Sequence, residues 1–114
     1  MTRDELRERW RLATIAAIEA EDRAARAKEG KAVLFDTLVD TLIEQAEEKG
    51  ERLSQSKAER IARTSDQFKS YLRKMHDLRR AAELLRLDAQ DKDRRYWEGV
   101  SSEATYRAEM RMTQ

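Results

Sequence analysis

The sequence predicts an all-α fold: a long antiparallel two-helix coiled-coil hairpin with a short corner helix, dimerising into a helical bundle. Three observations predict it. Apolar residues recur at alternating spacings of three and four on both sides of a Gly/Ser-punctuated stretch near the middle of the chain. No proline interrupts either stretch, and the 114 residues contain only three glycines. Charged residues make up 41% of the chain against 39% hydrophobic ones, a balance that suits long helices with a narrow apolar seam better than a compact globule. Disorder would also explain the charge, but disordered chains lack periodic aliphatics and are richer in Pro, Gly and Ser.

The predicted elements are helices over 3–49, 55–64 and 66–112, forming a single domain over 1–114. Thr2 followed by Glu5 has capping-box spacing and sets the first start. From Leu6 the three-four alternation runs Leu6, Trp10, Ala13, Ala17, Ala20, Ala24, Ala27, Lys31, Leu34, Leu38, Thr41 and Gln45. A second stripe, with Ile15, Ile18, Val33, Phe35, Val39, Leu42, Ile43 and Ala46, widens the apolar face toward the corner. Gly30 inside this helix predicts a kink or break. Lys49 and Gly50 supply a cation and a C′ glycine, and so a stop.

The short helix follows, with Ser56 and Glu59 at capping-box spacing and Ile61 as its large buried candidate. Thr64, Ser65 and Asp66 restart the chain, and a third stripe runs Phe68, Tyr71, Met75, Leu78, Ala82, Leu85, Ala89, Lys92, Tyr96, Gly99, Glu103, Tyr106 and Met110. Closing the hairpin about a corner near residue 56 sets opposite each other residues whose numbers sum to about 112. Small Ala13, Ala17, Ala20, Ala24 and Ala27 then face the stretch from Leu85 to Gly99, and Leu34 and Leu38 face Leu78 and Met75. Two helices cannot bury the remaining apolar residues, so Ile15, Ile18, Val39, Leu84 and Trp97 are predicted to form an oligomer or partner interface.

Composition excludes several kinds of chemistry. Without cysteine there are no disulfides, thiolate zinc sites or cysteine nucleophiles. Glycines at 30, 50 and 99 alone leave no phosphate loop or nucleophile elbow. The single His76 has Arg73 three residues before it, so the Glu-x-x-His ligand pattern of di-iron bundles is absent. Carboxylate pairs at helical spacing (Asp36 and Asp40, Asp40 and Glu44, Asp88 and Asp91) do not recur as a facing set that would chelate Mg²⁺. Seam residues Lys31 and Lys92 read as stems lying along the seam with their ammonium groups turned outward. The expectation is a protein that is not an enzyme, with no catalytic, cofactor-binding or metal-binding residues. No apolar run approaches the roughly 20 residues of a membrane span, and the first ten residues carry Asp4, Glu5 and Glu8 without an apolar core, so neither membrane insertion nor a signal peptide is expected and the predicted location is cytoplasmic.

The net charge of +1 is unevenly spread. Residues 57–80 hold eight Lys/Arg against three Asp/Glu, the only basic block in the chain. Its cations are Lys57, Arg60, Arg63, Lys69, Arg73, Lys74, Arg79 and Arg80, with Phe68, Tyr71 and His76 among them. Cations interleaved with flat rings can follow a phosphate backbone and stack bases, so these eight residues form a candidate single-stranded nucleic-acid site. The alternative is that the rings belong to the seam and the cations to a solvated face.

At Ala58 to Leu78 (AERIARTSDQFKSYLRKMHDL), and again at Glu103 to Met110 (EATYRAEM), the chain resembles small helical accessory proteins of tailed phages and prophages, encoded near single-strand annealing or replication genes. The resemblance covers roughly the last half of the chain and carries over no site residues. It implies a non-enzymatic interaction role in a mobile-element setting, with a homo-oligomer and a protein partner in DNA recombination or replication. Two alternatives remain at the level of sequence: direct binding of single-stranded nucleic acid through the basic corner, and inhibition of a host defence protein.

Overall fold

A computed structural model describes residues 1–113 as three helices: α1 (Arg3–Glu48), α2 (Gln55–Thr64) and α3 (Asp66–Met112). The fold is a long helical hairpin, with no strand among the described residues. Two compact units make it up: Met1–Glu21 with the stretch from Ala81 onward, and Asp22–Arg80.

The helix ends follow local chemistry. The Glu5 amide donates to Thr2 Oγ1 at 3.2 Å, capping the start of α1. At its other end the Gly50 amide donates to the Glu47 carbonyl (2.9 Å) and the Glu51 amide to the Ala46 carbonyl (2.8 Å). With Gly50 at φ +75°, this is a Schellman motif whose left-handed position favours glycine. α2 is capped by Ser54, whose hydroxyl accepts from the Lys57 amide, two residues before the capping box expected at Ser56. Ser65 both ends α2 and starts α3: its Oγ donates to the Ala62 carbonyl (2.7 Å) and accepts from the Phe68 amide (3.2 Å). One residue of extended backbone, φ −66° and ψ 146°, separates the two helices.

In the unit Asp22–Arg80, α2 is the first part of the return arm. Ala58 and Ala62, both fully buried, pack with Val39, and Phe35, Leu38, Leu42, Ile43 and Leu53 close around them. Two alanines four apart bring the α2 backbone close to α1, which is why α2 buries small residues and leaves Ile61, expected to be buried, 39% exposed. The chain therefore turns at Gly50 and not near residue 56. Phe35 meets Phe68, with ring centroids 5.5 Å apart, where closure near 56 would have set it against Asp77. In the other unit Trp10 stacks on Tyr96 at 5.4 Å, where the same closure would have chosen Ser102. The whole register is displaced by about two helical turns from the one expected.

The seam is thin. Ala13, Ala17, Ala20, Ala82, Phe68 and Tyr96 are buried, and the first stripe of α1 forms the seam until it reaches Thr41 and Gln45, which are exposed. Beyond that point the second stripe, Val39, Leu42, Ile43 and Ala46, turns inward to meet α2. A straight helix drifts about 20° per heptad against a 3.5-residue repeat, so the inward face has to pass from one stripe to the other. The accessible surface is 9177 Å², against roughly 6,500 Å² for a compact chain of this mass.

α1 runs continuously from Arg3 to Glu48, and Gly30 does not break it. A Cβ there would lie 2.6 Å from the Tyr71 hydroxyl, which donates to the Ala27 carbonyl at 2.6 Å. The glycine is a slot for the tyrosine. This hydrogen bond joins α3 to α1 across the unit, whereas all eight ion pairs lie within single helices at i,i+3 or i,i+4. Such exposed pairs contribute about 0–1 kcal/mol each, so apolar contact holds the arms together.

Candidate interaction surfaces

The helical phase of the seam distributes the eight cations of the basic block over different faces. On α3, the seam positions Phe68, Tyr71, Met75 and Leu78 point toward α1. Lys69, Arg73 and Arg80 are exposed at spacings of four and seven and share the opposite face with exposed His76. Lys74 and Arg79 flank the seam on opposite sides. On α2, Lys57 and Arg60 are exposed on the side away from Ala58 and Ala62, while the Arg63 guanidinium lies over the Phe35 ring at 5.7 Å.

The rings do not accompany the cations outward. Phe68 is 6% exposed and faces Phe35. Tyr71 is half-buried and its hydroxyl is engaged by Ala27. Two of the three flat rings in the block are therefore unavailable for base stacking, leaving an electrostatic surface without its stacking platform.

The same unit contains a groove of about 900 Å³ between α1 and the return arm. Its floor comprises Ala24, Ala25, Ala32, Phe35, Phe68 and Met75, and its rim carries Lys28, Lys31, Arg63 and Arg79, with no carboxylate in the lining. Lys28 and Lys31 belong to α1, outside the basic block, and sequence reasoning missed them as site residues. Their signal was the three-residue spacing beside Ala24 and Ala32.

Of the five residues expected at an interface, four are exposed: Ile15 by 39%, Ile18 by 60%, Leu84 by 57% and Trp97 by 54%. Val39 is not available. At 2% exposure it lies in the intrachain cluster with Ala58 and Ala62, because α2 covers the face of α1 that the sequence left unpartnered. Leu12 and Leu87 are also more than half exposed: Leu12, Ile15 and Ile18 are successive i,i+3 neighbours, as are Leu84 and Leu87.

The end of α3 adds to this surface. Leu6 approaches Gly99, where a Cβ would lie 3.2 Å from Leu6 Cδ1, so α1 offers little to oppose the residues that follow. Every residue from Ser101 to Thr113 is exposed, including Tyr106, Met110 and Met112. The stripe positions Tyr106 and Met110, expected to continue the seam, have no intrachain partner because of the displaced register.

Asp88 and Asp91 are engaged by cations of their own helix, Lys92 at 2.6 Å and Arg94 at 2.7 Å. No group of three or more potential metal ligands occurs among the described residues, and no helix among them is long and apolar enough to cross a membrane. Glu8, fully exposed, has its carboxyl held below the usual range by the hydrogen bond from Arg11, an effect local to one turn of α1. Comparison of the chain with protein-family models, curated proteins and solved structures finds no match.

Proposed function

We propose that this chain is a non-enzymatic interaction protein that works by presenting helix faces, first to a second copy of itself and then to a protein partner. The observation that carries this reading is the apolar surface of the unit Met1–Glu21 with Ala81 onward. Leu12, Ile15, Ile18, Leu84, Leu87, Trp97, Tyr106 and Met110 are each 39% exposed or more. Single exposed leucines are ordinary, but the runs Leu12, Ile15 and Ile18 on α1 and Leu84 and Leu87 on α3 leave neighbouring aliphatic side chains in water, where a partner can cover them together. Fully burying an aliphatic side chain of this size stabilises by about 1.5–3 kcal/mol, so a few such contacts offset the cost of association. In the mobile-element setting implied by the resemblance, the further partner is a protein of DNA recombination or replication.

The inward rings favour a protein partner over a nucleic acid, although the outward stripe Lys69, Arg73 and Arg80 would still attract phosphate. Sedimentation velocity at micromolar concentration is the test. The native chain should sediment as a dimer or larger, and Ile15→Glu with Ile18→Glu and Leu84→Glu should return it to a monomer with unchanged helicity. A native chain that stays monomeric throughout that range would remove the reading.

A further inference from the structure

The groove in the unit Asp22–Arg80 is built for a particular occupant. Along α1, Ala24, Lys28, Lys31 and Phe35 recur at spacings of four, three and four, and on α3 Phe68, Met75 and Arg79 recur at seven and four. These are the spacings by which two helices offer a seam to a third. From Ala24 to Phe35 the seam runs about 17 Å, or three turns of helix. The groove is lined along this length by apolar groups twice interrupted by lysine, and Arg63 and Arg79 close its other edge.

The charges in the groove lack partners. Lys28, Lys31 and Arg79 make no ion pair among the described residues, and Arg63 has only Glu59 at 3.9 Å. Some cations elsewhere are paired within their own helix, as Arg11 is with Glu8, Arg26 with Asp22, Arg86 with Glu83 and Lys92 with Asp88, and others, such as Arg73 and Arg80, are not, so what distinguishes the groove is four cations around an apolar floor with no carboxylate in the lining. Four cations around an apolar floor without a carboxylate complement a ligand that is apolar along one stripe and negative on its flanks.

We infer that this groove binds an acidic amphipathic helix of a partner protein, about three to four turns long, which completes a three-helix coiled coil with α1 and α3. A single strand of nucleic acid fits the rim but not the floor. Ala24, Ala25 and Ala32 offer no hydrogen bonds to bases, Phe68 is buried, and the Arg63 guanidinium already lies over the Phe35 ring. An acidic helix satisfies both parts, with aliphatic side chains on the floor and glutamates against the four cations. This surface is separate from the apolar face of the other unit and does not depend on self-association.

The test uses the full chain and three probes. The first is a blocked peptide of about four turns with leucine on a three-four stripe and glutamate on both flanks. The second has lysine in place of every glutamate, and the third is a short oligothymidylate. The glutamate peptide should bind and gain helicity, at least tenfold more tightly than the lysine peptide, and its affinity should fall as salt is raised. Lys28→Glu with Lys31→Glu and Arg79→Glu, all exposed positions on helix surfaces, should reverse the preference while leaving thermal melting in place. The Ile15→Glu, Ile18→Glu, Leu84→Glu chain should bind the glutamate peptide as the native chain does, which separates this groove from the self-association face. Equal binding of the two peptides, no binding of either, displacement of the glutamate peptide by the oligothymidylate, or loss of binding in the Ile15/Ile18/Leu84 variant would each overturn the inference.

Discussion

Tyr71 and Gly30 form the most specific contact in the hairpin, and each explains the other. The tyrosine hydroxyl reaches the Ala27 carbonyl, 44 residues earlier, only because position 30 has no side chain. A glycine in a helix interior costs about 1 kcal/mol relative to alanine, and a hydrogen bond of this kind contributes about 1 kcal/mol. The two effects are therefore comparable, and their coupling is measurable. Gly30→Ala alone should yield little or no stability, because the new methyl displaces the hydroxyl. In a Tyr71→Phe background, which removes that oxygen, the same change should stabilise by about 1 kcal/mol. Chemical denaturation of the four chains of this cycle reads the difference, and additive effects would mean that Tyr71 does not occupy the slot. The sequence marked Gly30 as a weak point because helix propensity can be read locally. Its role as a slot depends on a residue in the opposing helix.

At the scale of elements, the ends of the helices were legible where a cap is chemically distinctive and less so where several serines compete. Lys49-Gly50 stops α1 through the one left-handed glycine of the chain. Ser54 and Ser56 both precede α2, and the cap falls on Ser54 because that start turns Ala58 and Ala62 toward Val39. The start expected at residue 55 is the observed one, and only the capping residue differs, Ser54 in place of Ser56. The alanine seam gives the element-scale prediction. Ala20 is 2% exposed, so Ala20→Leu inserts bulk where the helices approach closely and should cost about 1–3 kcal/mol. Thermal melting should fall by several degrees. The same change at Ala25, an exposed residue lining the groove, should leave melting almost unaltered while obstructing the acidic peptide.

At the scale of the whole molecule, the hairpin was legible and its register was not. Three-four periodicity specifies which residues face inward, but pairing between arms depends on where the chain turns. Treating α2 as a corner placed the turn near residue 56, whereas the Schellman turn at Gly50 makes α2 part of the return arm. The candidate surfaces shared this limit: Val39 was given to a partner because α2 was not expected to cover it, and Lys31 was read as a seam lysine and Lys28 not singled out because the groove they border forms only once α2 joins the return arm and brings Arg63 to its edge. The displaced register also leaves the last turns of α3, from Ser101 to Thr113, without an opposing helix. Amides in an unpacked helix open locally at little cost, whereas those of a packed seam exchange through larger openings. In dilute solution the amides of 101–113 should exchange orders of magnitude faster than those of 82–96. If Tyr106, Met110 and Met112 belong to the self-association surface, exchange at 101–113 should slow as concentration rises and stay fast in the Ile15→Glu, Ile18→Glu, Leu84→Glu chain. Slowing in the native chain alone would place these turns inside the oligomer. Exchange that remains fast at every concentration would exclude them from it and confine self-association to the faces of Leu12 to Ile18 and Leu84 to Trp97.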